Sequence, residues 1–99
     1  MSRLITKIAC NNLCNHTIWK RDNTEIVKEN GISYLKLFGN KIAALTQNNV
    51  LWIQTAGWKT NTTRERLNGL PNVSIYQRKN IWYLNNCIWD GRPICVGLI

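Results

Sequence analysis

Between Thr24 and Thr55 four short apolar runs follow one another with only brief turn signals between them: Asn30-Gly31, Gly39-Asn40 and Asn48-Asn49. A parallel crossover needs a dozen or more residues, so runs this closely spaced can pair only as antiparallel neighbours. The spacing predicts a meander over 24–28, 32–38, 42–46 and 50–55. Gly39-Asn40 suits a hairpin because Gly takes up positive φ without steric cost and Asn tolerates it. In Val50-Leu51-Trp52-Ile53 apolar residues fall on both faces, the mark of a central strand.

The flanks read differently. Leu4, Ile5, Ile8, Ala9 and Leu13 recur at helical spacing, and Ser2 can cap the helix they form. His16 to Asn23 is polar, bears Trp19, Lys20 and Arg21, and reads as a connector. Beyond the meander, Thr62-Thr63-Arg64-Glu65 has the form of a capping box, in which Thr62 and Glu65 satisfy each other's backbone. It predicts a short helix over about 62–69, anchored by Leu67 and Leu70 and ended by Gly69 and Pro71. Segments 73–77 and 81–84 make a second hairpin around Arg78-Lys79-Asn80, and 87–89 a last short strand. The expected architecture is α+β in one domain, 1–99. A helix and connector over 1–22 precede an antiparallel sheet built of hairpins over 23–99, with the short helix inserted before the last strands.

Composition narrows the function. With 44% hydrophobic and 18% charged residues the chain can bury a core and is not of the disordered class. No apolar run approaches the roughly 18 residues of a membrane span. Met1-Ser2-Arg3-Leu4-Ile5 lacks the long apolar stretch of a signal peptide, so the expected location is cytosolic. Frequent Asn, Lys and Ile share A/T-rich codons and suit a low-GC genome. Thirteen Lys and Arg against five acids give a net charge of +8, which favours anionic partners, nucleic acid first among them.

Catalytic and metal chemistry find little support. Cys10, Cys14 and His16 are spaced too widely for a usual zinc knuckle, and Cys87 and Cys95 are separated by a stretch containing Pro93. Buried free thiols account for such cysteines equally well, and nothing points to a disulfide-forming compartment. Asp22, Glu25, Glu29, Glu65 and Asp90 show no paired arrangement, and no phosphate loop or nucleophile elbow is present. The expectation is a binding protein without cofactor, metal or small-molecule substrate, and not an enzyme.

The stretch from Gly57 to Lys79 is the richest in candidate contacts. Lys59, Arg64, Arg66, Arg78 and Lys79 can neutralise phosphates, and Asn68, four residues from Arg64 and on the same helix face, can reach a base or sugar. The helix start adds positive potential of its own. Five such contacts predict a slope of log K against log salt near about −4 on duplex DNA. Trp52, Trp82 and Trp89 fall in predicted strands and read as core. Trp19, Trp58 and Tyr76 are the aromatic anchors of the alternative, an interface with another protein.

Leu37-Phe38-Gly39-Asn40-Lys41-Ile42-Ala43 and the stretch Gly57-Trp58-Lys59-Thr60-Asn61-Thr62-Thr63-Arg64-Glu65-Arg66-Leu67-Asn68 resemble two segments of a family of small tailed-bacteriophage proteins. The second resembles its signature G-W-x-T-x-T-T-x-x-R-[LI]-N. Pro71 to Ile75, Trp82 to Asn85 and Trp89-Asp90-Gly91 continue the similarity over roughly the last two thirds of the chain. The resemblance implies expression in the host cytoplasm and family members without cysteine at the positions of Cys10, Cys14 and Cys87. It implies an origin and no particular mechanism. Three functions stay open: nucleic-acid binding through the basic residues, binding and inhibition of a host defence or transcription protein, and a minor virion or assembly role. Arg66 and Asn68 are the residues that local architecture explains least.

Overall fold

The computed structural model describes residues 4–99; Ser2, the expected cap of the first helix, lies outside them. Helix α1 spans Leu4–Cys14 and buries Thr6, Ala9, Cys10 and Leu13. Their three- and four-residue spacing sets them on one side. The chain then turns at His16, where φ is 54°. The two ring nitrogens of His16 bond Ser33 Oγ at 2.7 Å and Asn49 Oδ1 at 3.1 Å, tying the turn to the sheet beneath.

Strand β1 (Trp19–Arg21) pairs antiparallel with β2 (Thr24–Glu29). The segment that reads as a connector is therefore an edge strand, too short and polar to show a period of its own. The predicted meander continues through β3 (Ile32–Leu37), β4 (Asn40–Leu45) and β5 (Val50–Ile53). Helix α2 (Asn61–Leu67) follows, then β6 (Ile75–Arg78), β7 (Ile81–Leu84), β8 (Cys87–Ile88) and β9 (Ile94–Leu98). Strand β9 returns to pair with β5, so the strands form two sheets rather than one: β1-β2-β3-β4-β5-β9 and β6-β7-β8. Its partner lies far back in the chain, and a pairing at that range leaves no local sequence signal.

Alternation along the large sheet decides which side is core. Ile26, Leu35, Leu37, Leu45, Leu51 and Ile53 point inward and are buried beneath α1 and α2. A bulge beside Leu35 and Lys36 gives β4 an extra residue, and Ile42 and Ala43 are both buried there. On the outer side Lys36 pairs with Glu25 at 3.9 Å and Lys41 with Glu29 at 2.8 Å. The Lys41 ammonium also sits 4.1 Å from the centroid of the Tyr34 ring. Trp52 belongs to that outer side and is 43% exposed, so it is not the core residue its strand suggested. With Leu51 and Ile53 turned inward, the period of two leaves Trp52 no other direction. Trp82 and Trp89 are buried, their rings 6.5 Å apart.

Helix α2 starts earlier than the capping-box pattern predicts. Its N-cap is Thr60, whose hydroxyl accepts from the backbone N–H of Thr63 at 3.2 Å. Thr62 therefore lies inside the helix, and the Glu65 carboxylate turns toward Thr6 and Arg66 instead of back to a cap. The local pattern offered three threonines in four residues, and tertiary contacts chose among them.

Candidate nucleic-acid interface

Arg66 lies inside the protein. Its side chain is 3% exposed. Nε donates to Thr24 Oγ1 at 3.1 Å, and one terminal nitrogen donates to Thr6 Oγ1 at 2.9 Å and to Glu65 Oε1 at 3.0 Å. Thr6 in turn donates to the other Glu65 oxygen. Thr6 and Thr24 are fully buried, so this one guanidinium joins α1, β2 and α2. Arg66 is withdrawn from the set of phosphate contacts: no face of it reaches solvent.

Asn68 is likewise given to the fold. Its side-chain oxygen accepts from the Ile75 N–H at 2.6 Å and its amide donates to the Ile75 carbonyl at 2.9 Å. It treats the start of β6 as a neighbouring strand would, and so fastens the small sheet to the end of α2. One donor and one acceptor position of its amide are thereby committed to the fold, which accounts for the residue on architectural grounds. At the start of α2 the Thr60 hydroxyl already takes the Thr63 N–H.

The other four basic candidates remain at the surface. Arg64 leaves α2 in the opposite direction from Arg66, donating to Asn61 Oδ1 at 2.9 Å and to Gln77 Oε1 at 3.1 Å. Its guanidinium carbon sits 5.8 Å from the Trp82 ring centroid, so the ring supports it from below. Gln77 reaches Asn80 at 3.4 Å, continuing a polar row from α2 to the tip of the β6–β7 hairpin. Lys79 and Asn80 form that tip with φ of 52° and 66°, the paired positive values of a tight hairpin turn. Arg78 and Lys79 are exposed there, and exposed Lys59 precedes the cap of α2.

Electrostatics sharpen the division. Among the described residues Glu25, Glu29, Glu65 and Asp90 pair with Lys36, Lys41, Arg66 and Arg92. None of these acids pairs with Lys59, Arg64, Arg78 or Lys79.

The three aromatic anchors belong to three different elements. Trp19 is partly buried in β1 and packs against the core. Tyr76 lies on the outer side of the small sheet, stacked on Tyr83 with ring centroids 5.0 Å apart. Trp58 is 59% exposed in the loop before α2. It lines a cleft together with a residue that sequence reasoning placed in a strand: Phe38, 70% exposed. The cleft, of about 310 Å³, is floored by Leu37, Ile42 and Thr63. The available signal was a Phe directly before a Gly-Asn turn, where an inward-facing strand residue must hand over to the turn.

A family model described as Kyanoviridae Gp96 protein matches residues 2–97. The chain belongs to this bacteriophage family. No curated protein and no solved structure matches it. Membership of the Gp96 family thus covers nearly the whole chain and assigns no activity to it. Among the described residues no helix is long and apolar enough to cross a membrane.

The cysteines are all free and scattered over α1, β8 and β9. Cys10 Sγ sits 3.5 Å from the Arg66 carbonyl oxygen. Burial first, then the nearby Cys14 and Glu65 charges, push its thiol up to about 12. A folded-state value raised above the usual 9.0 makes its stabilising contribution complete below pH 9, fading as pH climbs toward 12. At neutral pH an alkylating reagent should label exposed Cys87 and Cys95 within minutes and leave Cys10 intact until the chain is unfolded, read by mass spectrometry of the peptides. Labelling of Cys10 as fast as Cys87 would show that α1 opens readily.

Proposed function

We propose that this phage protein works as a nucleic-acid binder, through the face formed by Lys59, Arg64, Arg78 and Lys79. The observation that supports it is that Lys59, Arg64, Arg78 and Lys79 take part in no ion pair among the described residues, while Glu25, Glu29, Glu65 and Asp90 pair with Lys36, Lys41, Arg66 and Arg92. A polyanion gains by releasing its condensed counterions against such a face, which gives affinity without demanding a sequence. The bound rows of Asn61, Arg64 and Gln77 hold the central guanidinium in place, so little order is lost when a phosphate arrives. Its place of action is the host cytoplasm, where the nucleic acid of phage and host is accessible. The scatter of Trp19, Trp58 and Tyr76 over three elements gives the protein-inhibitor alternative less support.

Fluorescence anisotropy of labelled single- and double-stranded oligonucleotides across a salt series tests this. With four contacts the slope of log K against log salt should be about −3.6 on duplex and about −2.8 on single strands. Arg78→Ala and Lys79→Ala should each make it shallower by about 1. Binding with the same slope in both variants would remove this face from the interface, and no binding at low salt would remove nucleic acid altogether.

A further inference from the structure

The cleft between the β3–β4 turn and the loop before α2 has no part in phosphate binding, yet it is built with some care. Among the described residues eleven other than glycine have positive φ; six are Asn, and His16, Asp22 and Lys79 are polar as well. The two apolar exceptions are Phe38 at 50° and Ala56 at 54°, the latter followed by Gly57 at 85°. A bulky residue rarely tolerates this conformation, and such strain tends to gather where a ligand is held. Here each strained turn presents one exposed aromatic ring to the same cleft. The backbone beneath both rings is pinned: Phe38 N–H donates to the Asn23 carbonyl at 2.8 Å and Trp58 N–H to the Thr55 carbonyl at 3.0 Å. Neither ring stacks on another aromatic ring among the described residues, and both are well exposed.

We propose that the cleft takes one unstacked base of a single-stranded nucleic acid, held between Phe38 and Trp58. The inference rests on the nucleic-acid reading and adds the strand type to it. The volume of about 310 Å³ lies at the lower end of small-ligand pockets, a size for one planar ring system and not for a folded partner element. Its lining is apolar with hydroxyl and amide groups at the lip, among them Asn40 and Thr60, and without a charged side chain. An aromatic sandwich of this kind suits any base, since every base offers a π-face. Charge fixes the occupant further. Lys59 directly follows Trp58, and the cap Thr60 leads to Asn61, which holds Arg64. A base in the cleft therefore has Lys59 beside it on the Trp58 side, while on the Phe38 side the chain offers Lys20 together with Asp22 and Glu25. A base paired in a duplex cannot enter, so the cleft favours single strands.

The test compares a single-stranded oligonucleotide with an equally long strand of abasic sugar-phosphate, at one salt concentration. Tryptophan emission of the unaltered chain is read against that of Trp58→Phe, which isolates the signal of Trp58. The expected result is quenching of Trp58 by the base-bearing strand and none by the abasic one. Phe38→Ala and Trp58→Ala should weaken the base-bearing strand by about tenfold and leave the abasic strand unchanged. Both rings are exposed, so both variants should keep the unfolding curve of the parent; should either fail to fold, the emission comparison on the unaltered chain and Trp58→Phe still decides. Equal affinity for the two strands with unchanged Trp58 emission would overturn the base clamp while leaving phosphate binding in place. Failure of both strands to bind would overturn the nucleic-acid reading, and the clamp with it.

Discussion

Replacing Arg66 with Ala should lower the unfolding free energy by about 3–5 kcal/mol, the usual effect of removing one partner from a buried ionic network. The substitution takes the shared donor from Thr24 Oγ1, Thr6 Oγ1 and Glu65 at once. It leaves the carboxylate of Glu65, three-quarters shielded at 25% exposure, without its guanidinium. A chain of this size has a total stability of only about 5–15 kcal/mol, so the substitution removes a substantial part of it and should lower the urea midpoint markedly. Arg64→Ala is the matched control. Its bonds to Asn61 and Gln77 are exposed, and its loss should change stability by about 1 kcal/mol or less. Urea unfolding followed by tryptophan emission measures both. An Arg66→Ala protein as stable as its parent would mean that the threonine and glutamate groups find other partners.

Asn68→Asp should cost about 2 kcal/mol although it changes a single atom type. The carboxylate can still accept from the Ile75 N–H, but it has no donor for the Ile75 carbonyl and sets a charged oxygen against it. Bonds of this kind contribute about 1 kcal/mol each, and a half-buried acceptor left without a donor adds a further penalty. Ile75 is buried at the start of β6, so the effect should concentrate in the small sheet. Hydrogen exchange should show the β6 and β7 amides protected less while those of β3 and β4 keep their protection. A uniform loss across both sheets would mean that the two unfold together and that Asn68 is not their local fastening.

These two residues explain where reading the chain from its residues stops. Arg and Asn are polar, and in a short helix of a basic protein a polar residue is reasonably assigned to solvent. Helix α2 is barely two turns long, so its inward face is set by only a few positions, among them Thr63, Arg66 and Leu67. An apolar stripe that short cannot announce that an arginine completes it. The partners that make Arg66 tolerable inside, Thr6 and Thr24, are on elements distant in the chain and look like ordinary surface threonines when met one at a time.

Chain-local physics settled a good deal. Turn signals at Asn30-Gly31, Gly39-Asn40 and Asn48-Asn49 imposed the antiparallel meander, because backbone reach and the positive φ of Gly and Asn are properties of a few adjacent residues. The same holds for the α1 face, for the hairpin at Lys79-Asn80 and for the α+β class as a whole. Long-range contact settled the rest. The pairing of β9 with β5, the separate small sheet and the outward turn of Trp52 each depend on which surfaces meet after the chain has folded back. So does the division of the candidate basic residues into buried Arg66, half-buried Arg64 and exposed Lys59, Arg78 and Lys79, since burial is a property of neighbours and not of the residue that is buried.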